Sequence, residues 1–342
     1  MNDSKTTLTE IAEAACVSLS TVDRVLNRRG GVSPKREAKV LECANRLNLD
    51  RRLFKGYLKL LRVAVVMQSP KNPFFQQLRD AFTDYTATHS DLRLSCFLHY
   101  VDILDKEQTK QELVFISQHY DAMIIIGPNL PPLVQQLKLI SQKLPVVTLV
   151  SDIPNSGRLA YVGPDNRQAG RVAGELIGRL LGKEGGDVLV LLGLHQYLGH
   201  EEREMGFRSV LRERFCGCNI VDLLESHEDQ QRAAQLVRAA FRKYPDIRAI
   251  YNMTSGNGAI VNALKSIGKL QDTLIITHEL TTERQQLLRE GHIDAIIDQN
   301  PELEAQRALA TLAKYFHRTE DGVLEQGYTP FQIYLRENCP DD

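Results

Sequence analysis

Three groups of side chains in this sequence carry chemistry by type and spacing. The first is Leu19, Ser20 and Arg24, which share one side of a helical wheel while Val22, Val25 and Leu26 share the other. A helix that buries the apolar stripe turns a hydroxyl and an arginine fork outward, donors suited to base edges in a major groove. A small bundle helix with a solvated polar face has the same pattern, so the wheel alone leaves both readings open. The second group is polar and aromatic: Asn72, Phe74, Phe75, Asp152, Asn252 and Glu279, with Arg203 and Gln299, each just after an apolar run or at a crossing between halves. Aromatic planes with planar donors and acceptors fit a ring that has an apolar face and a hydroxyl rim. The two Phe equally fit core packing, and Arg203 and Gln299 fit a bridge between halves. The third group would be metal-binding or catalytic, and it does not assemble. Cys216 and Cys218 form one CxC without a second pair, the histidines lack HExxH spacing, and His195 and His200 read as solvated loop residues. Neither a GxxxxGK[ST] nor a GxGxxG loop follows a strand, and no Gly-x-Ser-x-Gly elbow occurs. We therefore assign no catalytic residue, no metal and no cofactor.

The elements that must position these residues can be read next. Thr7 and Glu10 form a capping box, Cys16-Val17 interrupts the helical pattern, and Ser18 caps a second helix reaching Asn27. Ser33-Pro34 opens a third helix whose core face is Val40, Leu41, Ala44 and Leu47. Three short helices with a tight turn between the first two describe a small all-α helix-turn-helix head over 1–49, followed by a linker over 50–61. From 62 onward, apolar runs alternate with amphipathic stretches: 63–67, 94–99, 122–127, 146–151, 188–192, 220–224, 249–253 and 274–278. Such alternation implies parallel sheets covered by helices on both faces. A break near 161–166 divides them into two doubly wound parallel sheets, an α/β two-lobed domain over 62–342. Its N-lobe is expected at about 62–161 plus 300–325, and its C-lobe at about 165–292 plus 327–338.

Charge follows the same division. Residues 1–60 hold 12 Lys and Arg against 7 Asp and Glu, and the remainder 30 against 36, within a net charge of -1. A basic head on an acidic body is what a chain needs if only its head meets a polyanion. The polar N-terminus lacks a leader pattern, and no run of about 18 apolar residues occurs, so a cytoplasmic location without membrane contact is expected.

Residues 14–18, Ala-Ala-Cys-Val-Ser, then 20–27, Ser-Thr-Val-Asp-Arg-Val-Leu-Asn, and Val32-Ser33 resemble the DNA-binding head of LacI/GalR-family regulators, with Cys16 in place of a turn glycine and Asp23 in place of a serine. The resemblance implies base contacts from Leu19, Ser20 and Arg24, and phosphate contacts at or beside Thr7, Ser18, Thr21, Asn27 and Ser33. Without gaps, Leu58 falls at the family's minor-groove wedge, but the linker lacks the usual Tyr and Pro. A groove-inserting hinge and a plain basic tether both remain open. Residues 62–338 resemble the periplasmic ribose-binding type of fold. The resemblance rests on Asn72-Pro73-Phe74-Phe75, on 161–166 with Ala169-Gly170, on 203–207 read as a helix start, and on 298–301. It implies a homodimer on double-stranded operator DNA, controlled by a small-molecule effector bound by Asn72, Phe74, Phe75, Asp152, Arg203, Asn252, Glu279 and Gln299. Gly127, Val150-Ser151 and Glu279 depart from the ribose pattern, with Asp152 standing in from two residues on. The expected effector is therefore a sugar, polyol or related hydroxylated metabolite, or a non-sugar such as a purine, rather than ribose itself. A solute receptor without a DNA role is the alternative from another class, and the basic head argues against it.

Overall fold

The structure is a computed structural model that describes residues 7–26, 29–47, 59–68, 72–102, 105–319 and 327–340. Asn27 and Leu58, two of the expected DNA contacts, lie outside the described residues.

Three helices form the N-terminal unit: α1 (Leu8–Ala15), α2 (Leu19–Leu26) and α3 (Pro34–Arg46). Thr7 caps α1 reciprocally, its hydroxyl accepting from the Glu10 N–H at 3.3 Å while the Glu10 carboxylate accepts from the Thr7 N–H at 2.8 Å. The turn into α2 passes through Cys16 at φ 53°, a left-handed conformation in which a β-carbon is strained. Ile11, Ala15, Val22, Val25, Val40 and Ala44 make a separate small core, against which Leu41 and Leu47 pack. Asp23, the charge that DNA would repel, is paired with Arg29 at 2.9 Å.

The larger part contains two sheets. The first is wholly parallel, built from β1 (Leu61–Met67), β2 (Leu94–Tyr100), β3 (Ala122–Ile125), β4 (Val146–Leu149) and β5 (Ala160–Val162), in the order β2-β1-β3-β4-β5. Helices α4 (Pro73–Thr88), α5 (Lys106–His119) and α6 (Pro131–Ile140) alternate with these strands. The second half runs α7 (Asn166–Leu181), β6 (Gly186–Leu192), α8 (Leu198–Arg214), β7 (Cys218–Glu225), α9 (Gln230–Lys243), β8 (Ile247–Asn252), α10 (Asn257–Ser266), β9 (Leu274–His278), α11 (Thr282–Arg289) and β10 (Ala295–Asp298). Then α12 (Pro301–Tyr315) returns to the first sheet, burying Ala305, Ala308, Leu309 and Leu312 with Val63, Val65 and Phe82. The short β11 (Gln332–Tyr334) closes the second sheet by pairing antiparallel to β10, giving the order β11-β10-β9-β8-β6-β7.

The inner strands are buried on both faces, as a parallel sheet covered by helices requires. Sequence periodicity misses β5, β10 and β11, which are only three or four residues long. It also runs the fourth strand to 151, whereas the chain leaves the sheet at Val150, where φ is 65°. Each sheet reverses direction once, between β1 and β3 and between β6 and β8, and crevices for ligands open at such points beyond the carboxyl ends of the strands.

Candidate functional site

The carboxyl ends of both sheets face one cavity of about 60 Å³. At about 10–15 Å³ per water, that is room for roughly four to six waters, the scale of a compact metabolite. The first half contributes Gln68, Asn72, Phe74 and Phe75 after β1, Ile126 after β3, and Val150 and Ser151 after β4. The second contributes Tyr197, His200 and Arg203 after β6, Glu228 after β7, Thr254 and Ser255 after β8, and Glu279 after β9.

Arg203 is 3% exposed and lies in the second turn of α8, not at a helix start as its motif implied. Its Nε donates to Asn166 Oδ1 at 2.7 Å and its Nη2 to Gln299 Oε1 at 3.0 Å. Asn166 in turn donates to the Val150 carbonyl at 3.1 Å and to Tyr161 Oη at 3.2 Å. The guanidinium is thereby held at two chain crossings. Asn72 caps α4, its Oδ1 accepting from the Phe74 N–H at 3.0 Å, and its Nδ2 reaches Glu228 Oε2 across the cleft at 3.5 Å. Phe74 and Phe75 line the cavity edge-to-face, 5.7 Å apart, and also belong to the core of the first lobe. Cavity lining and core packing are thus not exclusive for them. Glu279 presents a carboxylate bound to Arg284 at 2.8 Å.

Three expected contacts are not cavity residues. Asp152, expected as an effector contact, is instead committed within its own loop: Arg158, six residues on, binds it through two nitrogens, at 2.6 Å from Nη2 to Oδ2, and Thr148 and the Ile153 N–H take Oδ1. Asn252 is fully buried, bonded to Thr254 and Asn257, and fixes the turn after β8. Gln299 sits behind the wall, accepting from Arg203 and donating to Glu279 at 3.4 Å, so it orients both. His200 corrects the opposite way, since it is half-buried in the cavity wall rather than solvated in a loop.

The wall stores strain. Val150, Glu228 and Glu279 adopt φ of 65°, 59° and 68°, left-handed values that cost roughly 1–3 kcal/mol each unless the surroundings impose them. At Val150 they do: its N–H donates to Val162, and its carbonyl accepts from Tyr161 and Asn166. Burial also sets protonation. It lowers the His200 pKa to about 4, with Arg203 adding to the effect. His200 is therefore neutral, and its Nδ1 donates to the Leu194 carbonyl at 2.9 Å. Burial likewise pushes Glu228 up, with Glu279 adding repulsion.

On the N-terminal unit, Leu19 is 49% exposed, Ser20 and Arg24 are exposed beside it, and Val22, Val25 and Leu26 face inward. Ser18 Oγ lies 2.9 Å from Ser20 Oγ and 2.8 Å from Thr21 Oγ1, forming a hydroxyl cluster at the start of α2. Thr7 and Ser33 stand at the starts of α1 and α3, where free N–H groups favour phosphate oxygens.

Comparison with known proteins agrees with both parts. Residues 63–318 match the family described as periplasmic binding protein domain, and residues 7–50 match the bacterial regulatory proteins of the lacI family. The chain belongs to the periplasmic binding protein domain family and carries a lacI-family head. This lacI-family regulator is 27% identical, over 72% of its length and 71% of the relative's, to the ribose operon repressor of Halalkalibacterium halodurans. It is 26% identical, over 80% of its length and 88% of the relative's, to the D-ribose/D-allose-binding protein of Pseudomonas aeruginosa. Among solved structures, a glucose-galactose binding protein from Geobacillus stearothermophilus superposes with a TM-score of 0.73 at 22% identity, covering 83% of this chain and all of that one. The fold class and the regulatory class expected from the sequence are those found.

Sequence reading missed several residues in the wall of this regulator's cleft. Glu228 and Ser255 follow strands just as Asn72 and Glu279 do, so the carboxyl-end rule applied to every strand would have found them. Tyr197 ends the short connection from β6, and His200 lies in the first turn of α8, where no local pattern tells which side faces the cleft.

Proposed function

We propose that this chain binds operator DNA as a homodimer through α2 and that a monosaccharide-sized sugar or polyol in the cleft controls that binding. The observation that carries the reading is Arg203. One buried guanidinium lines the cavity with Asn72 and Phe74 of the other lobe and is held by Asn166 and Gln299 at the crossings. A ligand touching it engages both lobes together with the segments on which they would turn. Coupling of about 1–3 kcal/mol between cleft and head would change operator affinity roughly 5–150-fold, enough for a switch. The role is binding and control rather than catalysis. For the second copy, we favour the face around β2 and α5, where Phe97, Tyr100, Val114 and Phe115 are 37–44% exposed.

Thermal-shift screening of monosaccharides and polyols, followed by gel shifts on duplexes selected from a random pool, tests the reading. A binding ligand should raise the melting temperature and change operator affinity. Arg203→Ala should lose both effects while keeping ligand-free operator binding. Arg24→Ala should keep salt-sensitive, nonspecific binding but lose the preference for the selected duplex, since phosphate contacts carry no sequence information. No shift with any sugar or polyol would overturn the effector class, and an unchanged preference in Arg24→Ala would overturn the DNA face.

A further inference from the structure

Two carboxylates line the cleft, and their circumstances differ. Glu279 is committed, with Arg284 on Oε2 at 2.8 Å and Gln299 on Oε1 at 3.4 Å. Glu228 forms no salt bridge among the described residues; the Arg284 guanidinium, committed to Glu279, attracts it only through space. Its Oε2 accepts from the Ser255 N–H at 3.1 Å and from Asn72 only at 3.5 Å, the outer limit of a hydrogen bond. Yet the chain goes to some length to hold it there. His227 and Glu228 are successive left-handed residues at φ 56° and 59°, and Ser255 Oγ donates to the Glu228 carbonyl at 2.9 Å. On the facing segment, Gly193 leaves room for the carboxylate: a β-carbon there would lie 1.7 Å from Glu228 Oε1 and would displace it. A weak bond to Asn72 does not account for such a built position.

Resting on the effector reading above, we propose that the effector carries a protonated nitrogen, as an aminated sugar or amino-polyol does. Its ammonium docks on Glu228, and its hydroxyls meet Arg203, Asn72 and Glu279. A carboxylate buried beside a second carboxylate is disfavoured by desolvation and by repulsion. A hydroxyl donor relieves neither fully, whereas an ammonium offsets both.

Calorimetric titration of the full-length protein with matched pairs tests this: glucosamine against glucose, galactosamine against galactose, and 1-amino-1-deoxysorbitol against sorbitol. At least one amino member should bind about tenfold or more tighter than its neutral counterpart, a difference of about 1.4 kcal/mol. Glu228→Gln should cut that preference to about threefold or less, a residual difference under about 0.7 kcal/mol, whatever it does to the affinity of the neutral member. Circular dichroism melts check that the variant folds, and the wild-type comparison decides the matter if it does not. Neutral members binding as tightly as or tighter than their amino counterparts would overturn the inference and leave the sugar or polyol reading standing. Failure of both series to bind would overturn the two together.

Discussion

Nine non-glycine residues among those described adopt positive φ, and three of them, Val150, Glu228 and Glu279, line the cleft. The others include Cys16, which has no cleft to justify its strain. Its N–H and that of Val17 close the end of α1 onto Glu13 and Ala12 at 3.1 and 3.0 Å, a termination that asks for glycine. Cys16→Gly should therefore stabilise the head by about 0.5–1 kcal/mol, the relief of left-handed strain exceeding the added freedom of the unfolded chain. Slower amide exchange across 8–26 in the full-length protein is the readout, and unchanged or faster exchange would contradict it. At this scale the sequence is a fair guide where a residue's role depends on its neighbours along the chain. The capping pair Thr7 and Glu10 and the inward Val22, Val25 and Leu26 read correctly, and Asn72, expected after β1 as an effector contact, lines the cavity there. It fails where a partner arrives from a loop, as Arg158 does at Asp152, or where a side chain in a helix's first turn faces the cleft, as His200 does.

The element that positions Arg203 is α8, and its place is set by how closely it approaches α7. A β-carbon at Gly170 would lie 1.9 Å from the Arg203 carbonyl oxygen, and one at Gly206 would lie 2.1 Å from that of Arg167. Backbone meets backbone at this crossing, so neither position has a flexible side chain that could yield. Gly170→Ala should push α8 outward at its cleft end, costing about 1–3 kcal/mol in stability and moving the guanidinium off Asn166 and Gln299. Calorimetric melting measures the first effect and ligand titration the second. An alanine variant that melts and binds like wild type would show that the crossing does not fix Arg203. Gly170 and the 203–207 motif were both visible in the sequence, but the contact between them was not, because it depends on an interhelical distance that periodicity does not report. The same limit separates the strands that were legible from those that were not. Runs such as Val63–Met67 and Leu274–His278 are long enough to carry an apolar signature, whereas β5, β10 and β11 owe their strand character to the neighbours they pair with.

At the scale of the whole molecule, buried titratable groups gather where the lobes meet, and their effects on stability oppose one another. Burial holds His200 at about 4 and His278, bonded to Tyr251 Oη at 2.7 Å, well below the usual 6.5. A histidine depressed in the fold contributes stability that is present above 6.5 and is lost as pH falls, because the unfolded chain takes up the proton first. For His200, a shift from 6.5 to about 4 amounts to about 3 kcal/mol at most, at 1.36 kcal/mol per unit. Glu304 acts in the other direction. It is 0% exposed at the start of α12, among the described residues only the Thr329 hydroxyl approaches its carboxyl, and burial raises its pKa well above 4.5. Its contribution is complete below 4.5 and is lost as pH rises through the raised value, and burial pushes Glu228 and Asp298 in the same direction. Below pH 6.5 the two effects oppose each other, the histidines favouring higher pH and the carboxyls lower; above 6.5 only the carboxyls act, so melting temperature should fall along an alkaline limb as pH rises from 6.5 through their raised values. Glu304→Gln, a neutral side chain of nearly the same shape, should flatten the alkaline limb. Parallel melting profiles for the wild type and Glu304→Gln between pH 5 and 9 would mean that this acid does not stay protonated at the junction of the lobes, and the alkaline limb would then have to come from Glu228 or Asp298.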